Sequence, residues 1–234
     1  MRPLKFVVGL VLLPFCVAAT RTVAAIVQSL QPASLDRLPP AFWGLVIGFF
    51  LWIFLFLVLP RPMRTYVLAH ELTHGLWAWV MGAQIRAMKI GKKGGSIKVS
   101  KDNFLITLSP YFFPLYTVLV ILAHLAVSMF YDQSLYAPFW LGLVGLSWAF
   151  HLTFTVSMLT HRQPDITDQG RVFSYTFIYL MNVLGIGLWI VMVASPTLEQ
   201  FVGQFGTDIR DMALVCRDLG LRAWAFSCAR LAKG

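Results

Sequence analysis

Long uncharged stretches alternate with short charged ones along the 234 residues of this chain. Residues 38–60, 103–131, 133–161 and 172–198 hold no Asp, Glu, Lys or Arg. Each stretch exceeds the roughly 20 residues a helix needs to cross the hydrocarbon of a bilayer. Residues 65–85 form another such run, interrupted only by Glu71. A shorter apolar stretch at 6–20 continues past Arg21 to Leu30. It reads as a retained span, because Ala18-Ala19-Thr20 is a weak signal-cleavage site. The pattern predicts an all-α polytopic membrane protein of about six transmembrane helices, at 4–30, 41–59, 63–82, 104–130, 137–160 and 172–195. Between the third and fourth helices, apolar and basic residues alternate over 85–101 around Gly91-Lys-Lys-Gly-Gly95, which predicts a small β-hairpin. Pro110 and Pro114 interrupt the fourth helix. Residues 1–195 then make one transmembrane domain with its motif-bearing core at 63–190. In the remaining 196–234, Ile209, Met212, Cys216 and Leu219 recur at helical spacing, an amphipathic C-terminal tail.

Composition sharpens this reading. The chain is 58% hydrophobic and 12% charged, about half the charge of a soluble domain. Its net charge of +9 points to anionic lipid headgroups rather than nucleic acid, since no basic motif is interleaved with aromatics. A lipid bilayer is therefore the expected surrounding and nucleic acid is not a partner. Cys16, Cys216 and Cys228 have neither metal-ligand spacing nor a disulfide framework. The positive-inside rule is silent on orientation, because six spans divide the Lys and Arg residues nine against nine across the two faces.

The chemistry sits in the third helix, at His70-Glu71-Leu72-Thr73-His74. Histidines at i and i+4 share one helical face and can reach one ion. Glu71 stands beside them and can take a proton from the water such an ion activates. The chain has two glutamates and five histidines in all, and a glutamate amid an apolar span is costly enough that its default explanation is function. A zinc site of this type needs a third protein ligand and an open fourth position. Asp165 and Asp168 stand out, in the short polar segment Gln163-Pro-Asp-Ile-Thr-Asp-Gln-Gly-Arg-Val172 between two apolar helices. One can be the ligand and the other the cap of the sixth helix. His161 is close enough in sequence to orient Asp165, while His124, His151 and Asn182 sit within spans and can bridge helices.

These residues resemble the site-2 protease family of intramembrane zinc metalloproteases. The resemblance rests on His70-Glu71-Leu72-Thr73-His74 in a membrane helix and on Asp168-Gln169-Gly170-Arg171-Val172, similar to that family's Asp-Gly-Gly-Arg-Val segment. Pro164-Asp165 resembles its Asn-Pro-Asp variant, and Ser109-Pro110 and the hairpin sit where the family has similar features. Thr73 and Gln169 stand where the family has glycines. The resemblance implies cleavage of transmembrane segments of other membrane proteins, with Zn2+ bound by His70, His74 and Asp168 (Asp165 as the alternative) and Glu71 as general base and then acid. It places the protein, as a multi-pass chain, in a bacterial cytoplasmic membrane. The same metal site would also serve a hydrolase of lipids or small membrane substrates, or persist in a catalytically silent scaffold.

Six full spans carry a topological difficulty. Two crossings after the third helix return residues 161–170 to the side where that helix ends. The aspartate must then dip about half the membrane to meet the histidines. A re-entrant segment, or a fourth helix broken at Pro114, would relieve this.

Overall fold

The computed structural model describes residues 2–30, 40–91, 94–193 and 196–231. Helices dominate: α1 (Arg2–Ser29), α2 (Pro40–Val58), α3 (Met63–Val80), α4 (Phe104–Leu108), α5 (Leu115–Ser128), α6 (Ala137–Leu159), α7 (Pro164–Gln169), α8 (Arg171–Val193) and α9 (Leu198–Leu231). Two strands, β1 (Ile85–Ile90) and β2 (Gly95–Val99), pair antiparallel between α3 and α4. Among the described residues four helices, α1, α2, α6 and α8, are long and apolar enough to cross a membrane. Counting α4–α5 as one bent span makes five, in place of the six expected. The third expected span, α3, is not among them; His70, Glu71 and His74 occupy its middle. The fourth is broken where Pro114 precedes α5, and its halves diverge by 79°.

The chain divides into two compact units, Ala33–Gln169 and Met1–Pro32 with Gly170–Gly234. In the first, α2 and α6 pack so closely that their glycines touch backbone. A Cβ on Gly44 would collide with Pro138, one on Gly48 with Gly142, and one on Gly145 with Leu45. Small residues let apolar helices approach this way where burial from water gives no driving force. Further along, Trp52 Nε1 donates to Thr153 Oγ1 at 2.9 Å and Arg61 donates to Ser157 Oγ at 3.1 Å. These pairs advance together along both helices, so α2 and α6 run in the same direction.

That direction corrects the expected topology. Because α6 ends beside the end of α2, the segment after α6 emerges where α3 begins, not where α3 ends. His70 lies seven residues into α3, roughly 10 Å along a helix, so Asp165 has only that depth to cover.

A glycine turns the chain back at the end of α3. Gly82 has φ +70°, and the Ala83 and Gly82 amides donate to Ala78 O at 2.8 Å and Trp79 O at 3.0 Å. This is the paired hydrogen bonding of a helix closed by a left-handed residue. The hairpin then lies along α3. Gly95 meets Glu71, Ile97 meets Gly75, and Val99 packs on the cluster of Ala78, Ala83 and Ile106. Alternate residues of β2 thus follow one helix face. Four strand steps cover roughly 13 Å and the seven helix steps from 71 to 78 roughly 10 Å, so the match holds over this length.

In the second unit α1 and α8 also run the same way. Gly9 abuts the Phe173 backbone, Cys16 Sγ donates to Thr176 O, and Thr20 bonds the Tyr179 hydroxyl at 2.7 Å. The expected tail is one long helix, α9, whose first half is anchored. Asp208 is buried, accepts from the Thr22 hydroxyl at 2.8 Å and pairs with Arg21.

Gly48→Leu is expected to lower stability by about 3 kcal/mol, the upper range for overpacking. Gly185→Leu, where a Cβ meets open space, should change little. Thermal unfolding of the detergent-solubilised protein measures both.

Candidate metal centre

Three side chains from two elements of the first unit converge on one point. α3 supplies His70 and His74, one turn apart. Their Nε2 atoms lie 3.2 Å from each other. From α7, Asp165 Oδ2 comes within 3.4 Å of His70 Nε2 and 3.7 Å of His74 Nε2. Metal–ligand distances of about 2.0–2.1 Å in a tetrahedral site put neighbouring donors roughly 3.3 Å apart. The three donor atoms already have this spacing.

Each donor is held from behind. His74 Nδ1–H donates to the Ile106 carbonyl at 2.8 Å, which leaves Nε2 as its lone-pair nitrogen. His70 Nδ1 meets the Tyr66 hydroxyl at 3.1 Å. Tyr111, fully buried, donates its hydroxyl to Asp165 Oδ2 at 3.0 Å. Such partners fix ring orientation and ligand geometry in metal sites. Burial works to raise the Asp165 carboxyl, but hydrogen bonding and charge from the His70 and His74 rings, when these are protonated, outweigh it. They hold that carboxyl well below the usual carboxylate range, as the anion a cation needs.

The local sequence explains the convergence. Asn103 caps α4, its side chain accepting from the Ile106 amide at 3.0 Å, and so places the Ile106 carbonyl against His74. The segment 161–170, read from sequence as a polar loop, is largely the helix α7, ended by Gly170 at φ +93°. Ile166 and Gln169 are its buried residues, and Gln169 Nε2 donates to the Thr107 hydroxyl at 3.1 Å. With that face seated, Asp165 is turned toward the histidines and Asp168 is exposed, outside the cluster. The Gly-Arg-Val context selected Asp168, but the fold brings Asp165 to the histidines.

Glu71 is buried beside the cluster under β2. A Cβ on Gly95 would sit 2.6 Å from Glu71 Cγ and 2.7 Å from Oε1, so only glycine lets the strand lie there. A cavity of about 740 Å³ opens onto the site. It is lined by His70, Glu71, His74 and Asp165 on one side and by the whole of β2 on another. Thr73, at a position expected to be glycine, donates its hydroxyl to Ala69 O at 2.7 Å and leaves no polar atom unmet.

Tyr66, Tyr111, Gly95 and the Ile106 carbonyl were not singled out from sequence. Tyr66 was within reach, one turn before His70 on the same face. The others are joined to the site only by tertiary contact. His161 does not orient Asp165; its Nδ1 lies 2.7 Å from Ser157 O. Asn182 Nδ2 donates to Ile178 O within α8, and the His124 ring lies 5.1 Å from that of Trp140. Compared with family models, curated proteins and solved structures, the chain matches none.

For a metal held by these donors, Tyr111→Phe should weaken binding roughly 10–100-fold, the usual effect of losing a ligand's outer partner. Asp168→Ala should leave it unchanged. Competition against a zinc chelator of known affinity measures both.

Proposed function

We propose that this protein is an intramembrane metalloprotease that hydrolyses peptide bonds in or near transmembrane segments of other membrane proteins. The observation that carries the reading is the meeting of His70, His74 and Asp165 with buried Glu71 in a cavity walled by a β-strand edge. The donor set of two imidazoles and one carboxylate, at tetrahedral spacing, fits Zn2+. His70, His74 and Asp165 would hold the ion, and a bound divalent ion supplies Lewis acidity toward the scissile carbonyl and the attacking water.

The remaining steps belong to the chain itself. Glu71 takes a proton from the attacking water and returns it to the leaving amine. Among the described residues, strand β2 pairs with β1 on one side only. Its other edge is free to pair with an unwound substrate segment, and backbone pairing tolerates many side chains. Gly95 brings that strand, and the peptide bound to it, within reach of Glu71. Hydrolysis among apolar helices requires a wet cavity, and irregular backbone is tolerated in a membrane only around such a space.

The parallel course of α2 and α6 supports one orientation of these parts. Helices crossing a bilayer in the same direction need an odd number of crossings between them. Segment 63–128 thus makes one net crossing, with α3, the hairpin and the bent α4–α5 pair enclosing the site. This reading gives five spans and opens the cavity toward the side where α2 and α6 end.

Glu71→Gln should retain the metal and lose cleavage by roughly 10²–10⁴-fold, assayed on a single-span protein reconstituted with the enzyme in liposomes. Ile97→Pro and Val99→Pro, which remove amides on the edge of β2 that faces away from β1, should cripple peptide cleavage with metal content intact. Undiminished hydrolysis in both would instead favour a lipid or small-molecule substrate that needs no strand.

A further inference from the structure

The register of the hairpin contains one irregularity, and it falls beside the cavity. Ile85 pairs with Val99, but Ala87 pairs with Lys98, so Arg86 is an extra residue with no partner in β2. Its effect on side-chain direction is visible. The side chains of Ile85 and Met88 both reach Gly75 on α3, at 3.3 and 3.6 Å from where its Cβ would be. Three residues apart in a regular strand, they would point to opposite faces. The insertion of Arg86 lets both apolar side chains meet the helix and turns the arginine aside. Bulges serve in this way to re-aim one side chain.

Arg86 is the one residue of β1 that lines the cavity of the metal cluster. The other charged or titratable groups lining it are His70, Glu71, His74 and Asp165 at the cluster, together with Lys98 and Asp102. Asp102 accepts from the Thr107 hydroxyl at 2.9 Å. The ion pairs among the described residues leave both Arg86 and Lys98 without a carboxylate partner. An exposed guanidinium at the wall of a substrate cavity, without an ion-pair partner among the described residues, suits a carboxylate bound two-pronged.

We propose that the bulged Arg86 is a specificity-determining residue that receives an acidic side chain of the bound peptide, so that the site selects substrate strands carrying Asp or Glu near the cleaved bond. This rests on the metalloprotease reading above. A peptide strand paired with β2 runs alongside the hairpin and projects alternate side chains from each face. Two strand spacings, about 9.5 Å, separate it from β1, so an extended Arg86 side chain reaching over β2 meets a carboxylate extended from one residue at a fixed distance from the scissile bond.

The test uses the full chain, zinc-loaded in detergent, and short peptide hydroxamates as probes. The probes are identical except for Glu, Gln or Lys at the first, second or third residue from the hydroxamate. The hydroxamate reports the metal centre and the varied residue reports Arg86. At one position the Glu probe should bind about tenfold more tightly than the Gln probe, as expected of a charge-assisted hydrogen bond. Arg86→Gln should abolish that preference and leave the affinity of the Gln probe unchanged. Arg86→Glu should reverse it in favour of Lys. A parent that binds all probes equally would overturn the inference while sparing the metal centre. So would a preference that survives Arg86→Gln and disappears in Lys98→Gln. Failure of every hydroxamate to bind the zinc-loaded parent would overturn the metalloprotease reading, and the inference with it.

Discussion

The parallel packing of α2 against α6 is the constraint from which the site follows. Glycines at 44, 48 and 145 bring the two backbones into contact, and the contact fixes direction as well as distance. Because both helices end together, the segment after α6 is delivered to the start of α3. The short link from Leu159 to the first turn of α7 then suffices to carry Asp165 to the histidines, without a long re-entrant loop. Had α6 run antiparallel to α2, the same aspartate would have emerged at the far end of α3. Close helix packing and the composition of the candidate metal cluster are therefore linked, and α6 also reaches the site directly, where Phe154 stacks on Tyr66 at 4.7 Å.

Around the cluster, neutral hydrogen bonds do the aligning. A carbonyl at Ile106 and two tyrosine hydroxyls orient the three donors, and only Asp165 brings a formal charge. That economy suits a site among apolar helices, where every unpaired charge is costly. The hairpin adds a second layer of order. Its strand rises along α3 at nearly the rate of the helix, so one face of β2 stays seated while its edge stays open. The only break in this register is at Arg86, and there a cation enters the cavity instead of an apolar residue.

Much of this was legible in the chain. The i, i+4 histidines follow from helix geometry, the hairpin from its alternation and glycines, and the apolar helices from uncharged length. What escaped was whatever depends on faces and directions. Motif matching along Asp168-Gln169-Gly170-Arg171-Val172 counts positions. The choice between Asp165 and Asp168 turns on which side of a short helix is seated by Ile166 and Gln169. Six spans were counted from composition because an apolar run does not reveal a 79° bend or the direction of the next helix. Tyr111 gives no sequence signal at all, being one aromatic among many until the fold sets it against Asp165.

Elemental analysis of the detergent-purified protein, beside His70→Ala, Asp165→Ala and Asp168→Ala, tests the central claim most directly. The account predicts about one zinc per chain in the parent and in Asp168→Ala, and loss of the metal in His70→Ala and Asp165→Ala. A well-folded parent that takes up no metal when zinc is supplied would contradict it. So would a parent whose zinc survives Asp165→Ala and is lost in Asp168→Ala.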